Sequence, residues 1–204
     1  MVLSIHLDEP EGATPLTPDE LQGLKATHIT NRGELNEIES ANITDGLTWL
    51  ERRSKRSDVL SDTAAREMHK RLFGAVWAWA GIYRLTEKNI GVPVWQISTG
   101  LRGALDTAKY WQDHATFEPL EAAARLHHQL VWVHPFANGN GRWARIMADT
   151  YLEQVGFDGF LDWSAGGSLQ TESEHRAQYI AALRTADTHD FSPLVAFVQK
   201  IARQ

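Results

Sequence analysis

The chain contains no cysteine, which excludes a disulfide framework, a thiolate metal site and a cysteine nucleophile. It has no apolar run of about 18 residues, and its first residues lack the basic and then apolar pattern of a secretion signal. It also lacks an excess of positive charge, because 26 acidic residues outnumber 20 basic ones. We therefore expect a cytoplasmic protein that contacts no membrane and does not bind nucleic acid directly.

The composition is that of an ordinary globular domain. Hydrophobic residues make up 43% of the 204 positions and charged residues 23%, enough to bury one core. Residues 1–26 contain Pro10, Pro15 and Pro18 and are predicted to form an extended arm. Residues 27–204 are predicted to form a single domain. Helical spacing of apolar residues predicts six or seven helices, over about 34–50, 62–79, 101–115, 118–133, 142–154, 173–186 and from 192 onward. His69, between Glu67 and Lys70, is expected at the surface.

Residues 88–97 interrupt this helical pattern. Turn residues at 89–91 are followed by β-branched and aromatic residues, which predicts a small β-hairpin. Pro93 would confine it to an edge, because proline cannot donate to a β-ladder. Such an edge either pairs with an extended segment of another protein or is a simple connection.

Residues 134–145 read HPFANGNGRWAR and join two predicted helices. A helix N-terminus with glycines beside it favours an anion, because unpaired backbone N–H groups point outward and Gly139 and Gly141 allow close approach. Arg142 and Arg145 add positive charge three residues apart, and His134 offers a titratable imidazole for proton transfer. The pattern predicts a phosphate cradle with a general base. The alternative is a turn that only connects two helices.

This stretch resembles the signature of the Fic family, HPFx(D/E)GNGRxxR, and departs from it only at Asn138, where the family usually has an acidic residue. Residues 77–84 are similar to the family's WAG-x-[YF]-R region, and from about Thr27 onward the layout resembles the short Fic proteins called mobile mystery protein B. The resemblance implies a mainly α fold of about six to eight helices, with a small β-hairpin flap before the signature. It also implies a protein adenylyltransferase, which transfers AMP from ATP to a Ser, Thr or Tyr hydroxyl of a target protein.

The resemblance assigns roles to individual residues. His134 would be the catalytic base, and Mg²⁺ would bridge phosphate oxygens close to Asn138, whose amide is a weaker ligand than a carboxylate. The nucleotide phosphates would be held by Gly139, Asn140, Gly141, Arg142 and Arg145. The flap that docks the target would comprise Lys88, Asn89, Ile90, Gly91 and Val92.

Many Fic proteins also carry an inhibitory helix with the pattern (S/T)xxxE(G/N), whose glutamate pairs with the second signature arginine. Thr30 and Glu34 fit this pattern while Leu35 departs from it, which predicts an inhibitory helix over about 30–50 with Glu34 reaching Arg145. Two alternatives remain open. Glu34 could simply place favourable charge at a helix N-terminus, or a separate small antitoxin protein could supply the glutamate and hold the chain as a toxin.

Other functions also remain open at this level. A Fic-like enzyme could transfer phosphate or phosphocholine instead of AMP, and a non-catalytic Fic module could only bind a partner. His127 and His128 are adjacent, whereas zinc-binding histidine pairs on a helix are spaced i, i+4, so we expect them to be structural.

Overall fold

A computed structural model describes residues 14–26, 29, 31–52, 58–169 and 171–203. The α-helices of this part of the chain are α1 (Pro18–Leu21), α2 (Arg32–Glu51), α3 (Asp62–Phe73), α4 (Ile97–His114), α5 (Pro119–Val133), α6 (Asn140–Gln154), α7 (Glu174–Ala186) and α8 (Ser192–Ile201). Two short strands, β1 (Phe160–Leu161) and β2 (Ala202–Arg203), pair in antiparallel fashion. The predicted mainly α fold is confirmed. None of the helices described is both long and apolar enough to cross a bilayer.

Helix α5 is the centre of the core. It packs against α4, α6 and α8, and its consecutive alanines at 122–124 are almost completely buried. Small side chains at these positions let the neighbouring helices approach closely, while Leu126 and Leu130 fill the space between them. Helix α2 packs on α3 at the side of this core. Because α5 is held on several sides, its C-terminal end, where the signature begins, has a fixed position.

Helix α3 ends at Phe73, earlier than the predicted boundary near residue 79. The following residues pair with the N-terminal arm instead of continuing the helix. The Val76 carbonyl accepts a hydrogen bond from the Lys25 N–H, and the Ala78 N–H donates to the Gly23 carbonyl. These bonds fasten residues 23–25 to the turn that follows α3.

The predicted β-hairpin before the signature is wrong. Residues 82–93 form bends and extended loop without a strand, and Val94–Gln96 is a short 3₁₀-helix that leads into α4. The backbone carbonyls of Thr86 and Val92 accept hydrogen bonds from the Arg84 guanidinium, so a side chain organises this loop in place of a β-ladder. We keep the name flap for residues 88–96.

Candidate active site

The signature forms the connection between α5 and α6. His134 caps α5 in the left-handed conformation, with φ of 51°, and its N–H donates to the Leu130 carbonyl. Gly139 caps the start of α6 with φ of 78°. A Cβ at Gly139 would lie 2.8 Å from the Phe73 ring, so this position requires glycine for both conformation and space.

The loop between these caps is held by Phe136. Its ring is completely buried and stacks on His69 with centroids 3.7 Å apart. His69 is therefore a core residue, and the expectation of a surface position was wrong. Its Nδ1 accepts from the Gly81 N–H, which leaves Nε2 to donate to the Asn138 carbonyl at 3.1 Å. Because burial lowers its pKa to about 3, His69 stays neutral and supports the loop.

Asn140 shapes the same loop through its side chain. The amide oxygen accepts from the Phe136 N–H at 2.9 Å, and the amide nitrogen donates to the Phe136 carbonyl at 2.8 Å. The expectation that this side chain would hold a phosphate is corrected, because it is 2% exposed and already engaged with Phe136. What Asn140 offers to a ligand is its backbone N–H.

The N-terminus of α6 provides the anion-binding groups. The first bond of the helix runs from the Trp143 N–H to the Gly139 carbonyl, so the N–H groups of residues 140–142 precede the intrahelical ladder. A Cβ at Gly141 would meet no atom nearer than Arg145 Nη1, at 3.8 Å. The space in front of Gly141 is therefore open to a ligand.

This helix end faces a cavity of about 360 Å³. Arg142 and Arg145 line it from α6, and Arg176 and Arg184 line it from α7. Four arginines among the residues that line one cavity suit a polyphosphate. Its apolar wall includes Val131, Ile180 and Leu183. The α7 arginines were missed by sequence reasoning because they belong to no motif and lie far along the chain from the signature.

His134 lines the same cavity and is 5% exposed. Burial, reinforced by the nearby positive charge of Arg84, lowers the pKa of His134 to about 4. The imidazole is therefore neutral at pH 7 and able to accept a proton. Its Nε2 lies 2.9 Å from the Thr14 hydroxyl oxygen, a contact between the signature and the N-terminal arm.

Arg84 joins the flap to the signature. Its guanidinium is fully buried and donates to the His134 carbonyl at 2.7 Å, to the Thr86 carbonyl and to the Val92 carbonyl in the flap. Its backbone N–H donates to the Pro135 carbonyl. Gly91 completes this junction, since with φ of 100° an added Cβ would lie 2.6 Å from His134 Cβ. Sequence reasoning gave neither Arg84 nor Gly91 a part in holding His134.

The expected flap residues divide into two groups. Ile90 and Gly91 line the cavity, and Asn89 is exposed on the outer side. Lys88 is turned toward the arm, where Nζ donates to the Pro15 carbonyl and pairs with Glu20. Val92 contributes its carbonyl to Arg84. The flap thus lies between the cavity and the arm.

Asn138 is the candidate metal residue. Its Oδ1 accepts from the Gly139 N–H at 2.7 Å, and its Nδ2 donates to the Thr14 carbonyl at 3.0 Å. Within the described residues no group of three or more His, Cys, Asp or Glu side chains could hold a metal ion. A divalent cation placed here would find one side-chain amide oxygen, and a nucleotide would have to provide most of its other ligands.

A carboxylate does reach the signature, but it belongs to Glu39. Its Oε2 accepts from Arg142 Nη1 at 2.7 Å, and its Oε1 accepts from Trp77 Nε1 at 2.7 Å. The pairing of Glu34 with Arg145 stays a prediction: Glu34 stands in the first turn of α2, about 140° around the helix from Glu39. Arg145 lies over the Tyr179 ring. Thr30, the other residue of the expected pattern, lies outside the described residues.

The adjacent histidines have structural partners, as expected. His127 Nε2 is 2.8 Å from the Tyr179 hydroxyl, and His128 Nε2 is 2.8 Å from Asp187 Oδ1. Both contacts join α5 to the segment that contains α7. They hold in place the helix that carries Arg176 and Arg184.

Comparison with known proteins identifies this arrangement. Residues 59–152 match the model of the Fic/DOC family. Protein adenylyltransferase fic-1 of Caenorhabditis elegans is 34% identical over 152 residues, which are 72% of this chain and 28% of that protein. Protein adenylyltransferase Fic of Nematostella vectensis is 29% identical over 150 residues, covering 72% of this chain and 33% of that protein. The chain thus spans about a third or less of the length of these relatives.

Solved structures share the fold. Fic-1 from C. elegans superposes with a TM-score of 0.65 at 28% identity, covering 91% of this chain and 55% of that one. The BepC protein of Bartonella tribocorum, solved with bound AMPPNP, superposes with a TM-score of 0.68 at 18% identity, covering 90% and 97%. The family match over the signature and the relatives that share it show that this chain belongs to the Fic/DOC family.

Proposed function

We propose that this chain is a protein adenylyltransferase, which transfers AMP from ATP to a Ser, Thr or Tyr hydroxyl of a target protein. The observation that carries the proposal is the position of His134, whose Nε2 lies at hydrogen-bond distance from the Thr14 hydroxyl beside an arginine-lined cavity. The matched relatives named protein adenylyltransferase support the same reaction.

The base step depends on His134. With Nε2 unprotonated, it would take the proton of the target hydroxyl as that oxygen attacks the α-phosphorus of ATP. The bond from this phosphorus to the bridging oxygen then breaks, and pyrophosphate leaves. The low pKa of His134 keeps it in the accepting form at neutral pH. Loss of the imidazole is expected to reduce the rate by about 10²–10⁴-fold.

The phosphates are assigned to the α6 N-terminus. The backbone N–H groups of Asn140 and Gly141 would hold the α-phosphate at the positive end of the helix, and Gly139, whose own N–H donates to Asn138 Oδ1, would let the phosphate approach the backbone closely. Arg142 and Arg145 would contact the β- and γ-phosphates, with Arg176 and Arg184 opposite them. Mg²⁺, when bound with ATP, would neutralise phosphate charge, and Asn138 Oδ1 is the oxygen that this loop can direct toward it.

The target would dock along the flap. Leu85, Ile90 and Trp95 are 85%, 39% and 78% exposed around this loop, an unusual density of exposed apolar side chains. Lys88, Asn89, Gly91 and Val92 would complete this docking segment. Because Arg84 fastens the flap to His134, a segment bound there would present its hydroxyl close to the base.

We further propose that residues 27–204 form one domain and that α2 is its inhibitory helix, with Glu39 as the inhibitory carboxylate. Glu39 occupies the Arg142 guanidinium that a phosphate needs. This contact favours inhibition within the chain over inhibition by a separate antitoxin.

The reaction class is tested with ATP labelled at the α- or the γ-phosphate. AMP transfer predicts protein-bound label from α-labelled ATP only, and loss of label in His134→Ala. His114→Ala is the matched control, because His114 is an exposed histidine at the end of α4. Transfer of γ-label would identify phosphate transfer instead. Absence of any covalent label, in Glu39→Gln as well as in the wild type, would favour a partner-binding module instead.

A further inference from the structure

The Thr14 hydroxyl occupies the place where a target hydroxyl would have to stand. Thr14 is 6% exposed, and its Oγ1 lies 2.9 Å from His134 Nε2. Thr14 also lines the same cavity as Gly139 and Gly141. The hydroxyl therefore contacts the base and faces the space assigned to the phosphates, while that space stays open beside it.

The backbone around Thr14 is held by the signature loop and by the flap. Its carbonyl accepts from Asn138 Nδ2 at 3.0 Å, and the next carbonyl, that of Pro15, accepts from Lys88 Nζ at 2.9 Å. The signature loop and the flap thus each bind one consecutive peptide group of the arm. Main-chain bonds of this kind bind a segment without depending on its side chains.

Further contacts fix the arm farther along. Glu20 pairs with Lys88 and accepts from the Thr86 hydroxyl at 2.7 Å, and its N–H is capped by Thr17. The Glu20 carbonyl accepts from Trp79 Nε1. Helix α1 is consequently anchored to the loop between α3 and α4. This anchor sets the register that brings Thr14, six residues before Glu20, to His134.

We propose that Thr14 is a site of self-modification, an AMP acceptor presented in cis by the N-terminal arm; the proposal rests on the adenylyltransferase function proposed above. The Thr14 oxygen attacks the α-phosphorus of ATP and its proton passes to His134 Nε2. A phosphodiester forms at Oγ1, the bond to the bridging oxygen of the leaving diphosphate breaks, and pyrophosphate is released.

The competing explanation is that the Thr14–His134 bond only satisfies two buried polar groups and closes the site. The two explanations differ in their products. If the bond only closes the site, Thr14 stays unmodified and competes with target hydroxyls for His134. A cis acceptor becomes covalently labelled, at a fractional rate independent of protein concentration because the reaction is intramolecular.

The experiment incubates the full chain with ATP and Mg²⁺ alone, and in parallel with lysate proteins as external acceptors. It uses the wild-type chain and Glu39→Gln, since Glu39 occupies Arg142. Peptide mass spectrometry then locates any added AMP. We expect one AMP on Thr14, at a fractional rate unchanged by dilution, and no AMP in His134→Ala.

Two substitutions at Thr14 distinguish the chemical role of the hydroxyl from an effect on folding. Thr14→Ser keeps an attacking oxygen and should retain self-labelling, whereas Thr14→Val has nearly the same shape and should lose it. Both keep the backbone carbonyl that Asn138 binds. Thermal unfolding of both variants checks that they keep the fold, so that loss of label in Thr14→Val with retention in Thr14→Ser reports the hydroxyl itself.

The possible failures are distinguishable. Label on lysate proteins, dependent on His134 but absent from Thr14, overturns the cis acceptor and leaves the adenylyltransferase proposal intact. AMP on Thr14 at a fractional rate that rises with protein concentration overturns the intramolecular route. If neither the wild-type chain nor Glu39→Gln carries label on Thr14 or labels lysate proteins, the two proposals are overturned together.

Discussion

Replacing Glu39 with glutamine should activate the protein toward ATP. Glu39 is 3% exposed and accepts from Arg142 through one carboxylate oxygen and from Trp77 through the other. A phosphate can use the Arg142 guanidinium fully only after this carboxylate has moved away. Glutamine keeps an oxygen for the Trp77 indole but removes the charge that competes with phosphate. The substitution therefore removes the competition with phosphate for Arg142 while it keeps the buried contact with Trp77.

The size of the effect follows from the contact. A hydrogen bond to a charged group contributes roughly 1.5–3 kcal/mol net. If ATP must break such a bond at Arg142, its removal should tighten ATP binding by roughly 10- to 150-fold, at 1.4 kcal/mol for each factor of ten. The upper figure is a bound, because Arg142 in the variant regains contact with water or other partners. AMP transfer at subsaturating ATP should rise by a similar factor.

Calorimetric titration with a non-hydrolysable ATP analogue measures the first quantity, and initial rates of label transfer measure the second. Glu67→Gln is the matched control, because Glu67 also contacts an arginine, Arg71, at 2.7 Å, but stands on the more exposed part of α3. Thermal unfolding confirms that both variants fold. Equal affinities and rates in Glu39→Gln, Glu67→Gln and the wild type would refute the competition between Glu39 and phosphate.

Three further outcomes test other parts of the site. Asn138→Asp should lower the Mg²⁺ concentration needed for half-maximal transfer, because a carboxylate binds the ion better than an amide; an unchanged Mg²⁺ dependence would remove Asn138 from the metal site. Gly91→Ala should lower the transfer rate by up to about 10²-fold, since its Cβ would press on His134 at a positive φ, and a wild-type rate would contradict this close approach. Acid should destabilise the fold: burial lowers the pKa values of His69 and His127 to about 3 and of His134 to about 4, so the unfolded chain, with histidine near 6.5, binds more protons in that range. The free energy of unfolding should therefore be constant with respect to these histidines above pH 6.5. It should fall by about 1.4 kcal/mol per pH unit for each histidine as the pH drops toward 4. Urea titrations that show no such fall would contradict the buried neutral histidines.

The helices and the signature were predictable because their signals are local. Apolar spacing located α4–α8 to within a few residues, and the cluster of glycine, histidine and arginine at 134–145 marked the loop between two of them. The flap was mispredicted for the opposite reason. Its β-branched residues suggest strands, but the buried Arg84 takes the carbonyls that a ladder would use. Local propensity does not report such a side-chain contact.

Two contacts at the site were invisible to pattern reasoning. Glu39 meets Arg142 across 103 positions of the chain, and Thr14 meets His134 across 120. Glu39 also lacks the motif context that drew attention to Glu34, since Leu35 stands four residues before it. Both contacts depend on how α2 and the arm dock on the finished core, and this docking is set by contacts such as Lys25 with Val76.

The buried guanidinium of Arg84 has a mechanical consequence. It donates to the carbonyl of His134 on one side and to those of Thr86 and Val92 on the other, which couples the position of the flap to that of the imidazole. A target that displaced the loop would also displace the imidazole. Changes in the flap should therefore alter kcat together with KM, and acceptors that fit the loop poorly should be modified slowly even when saturating. If the flap docks the target as proposed, selectivity would be exercised in the chemical step as much as in binding.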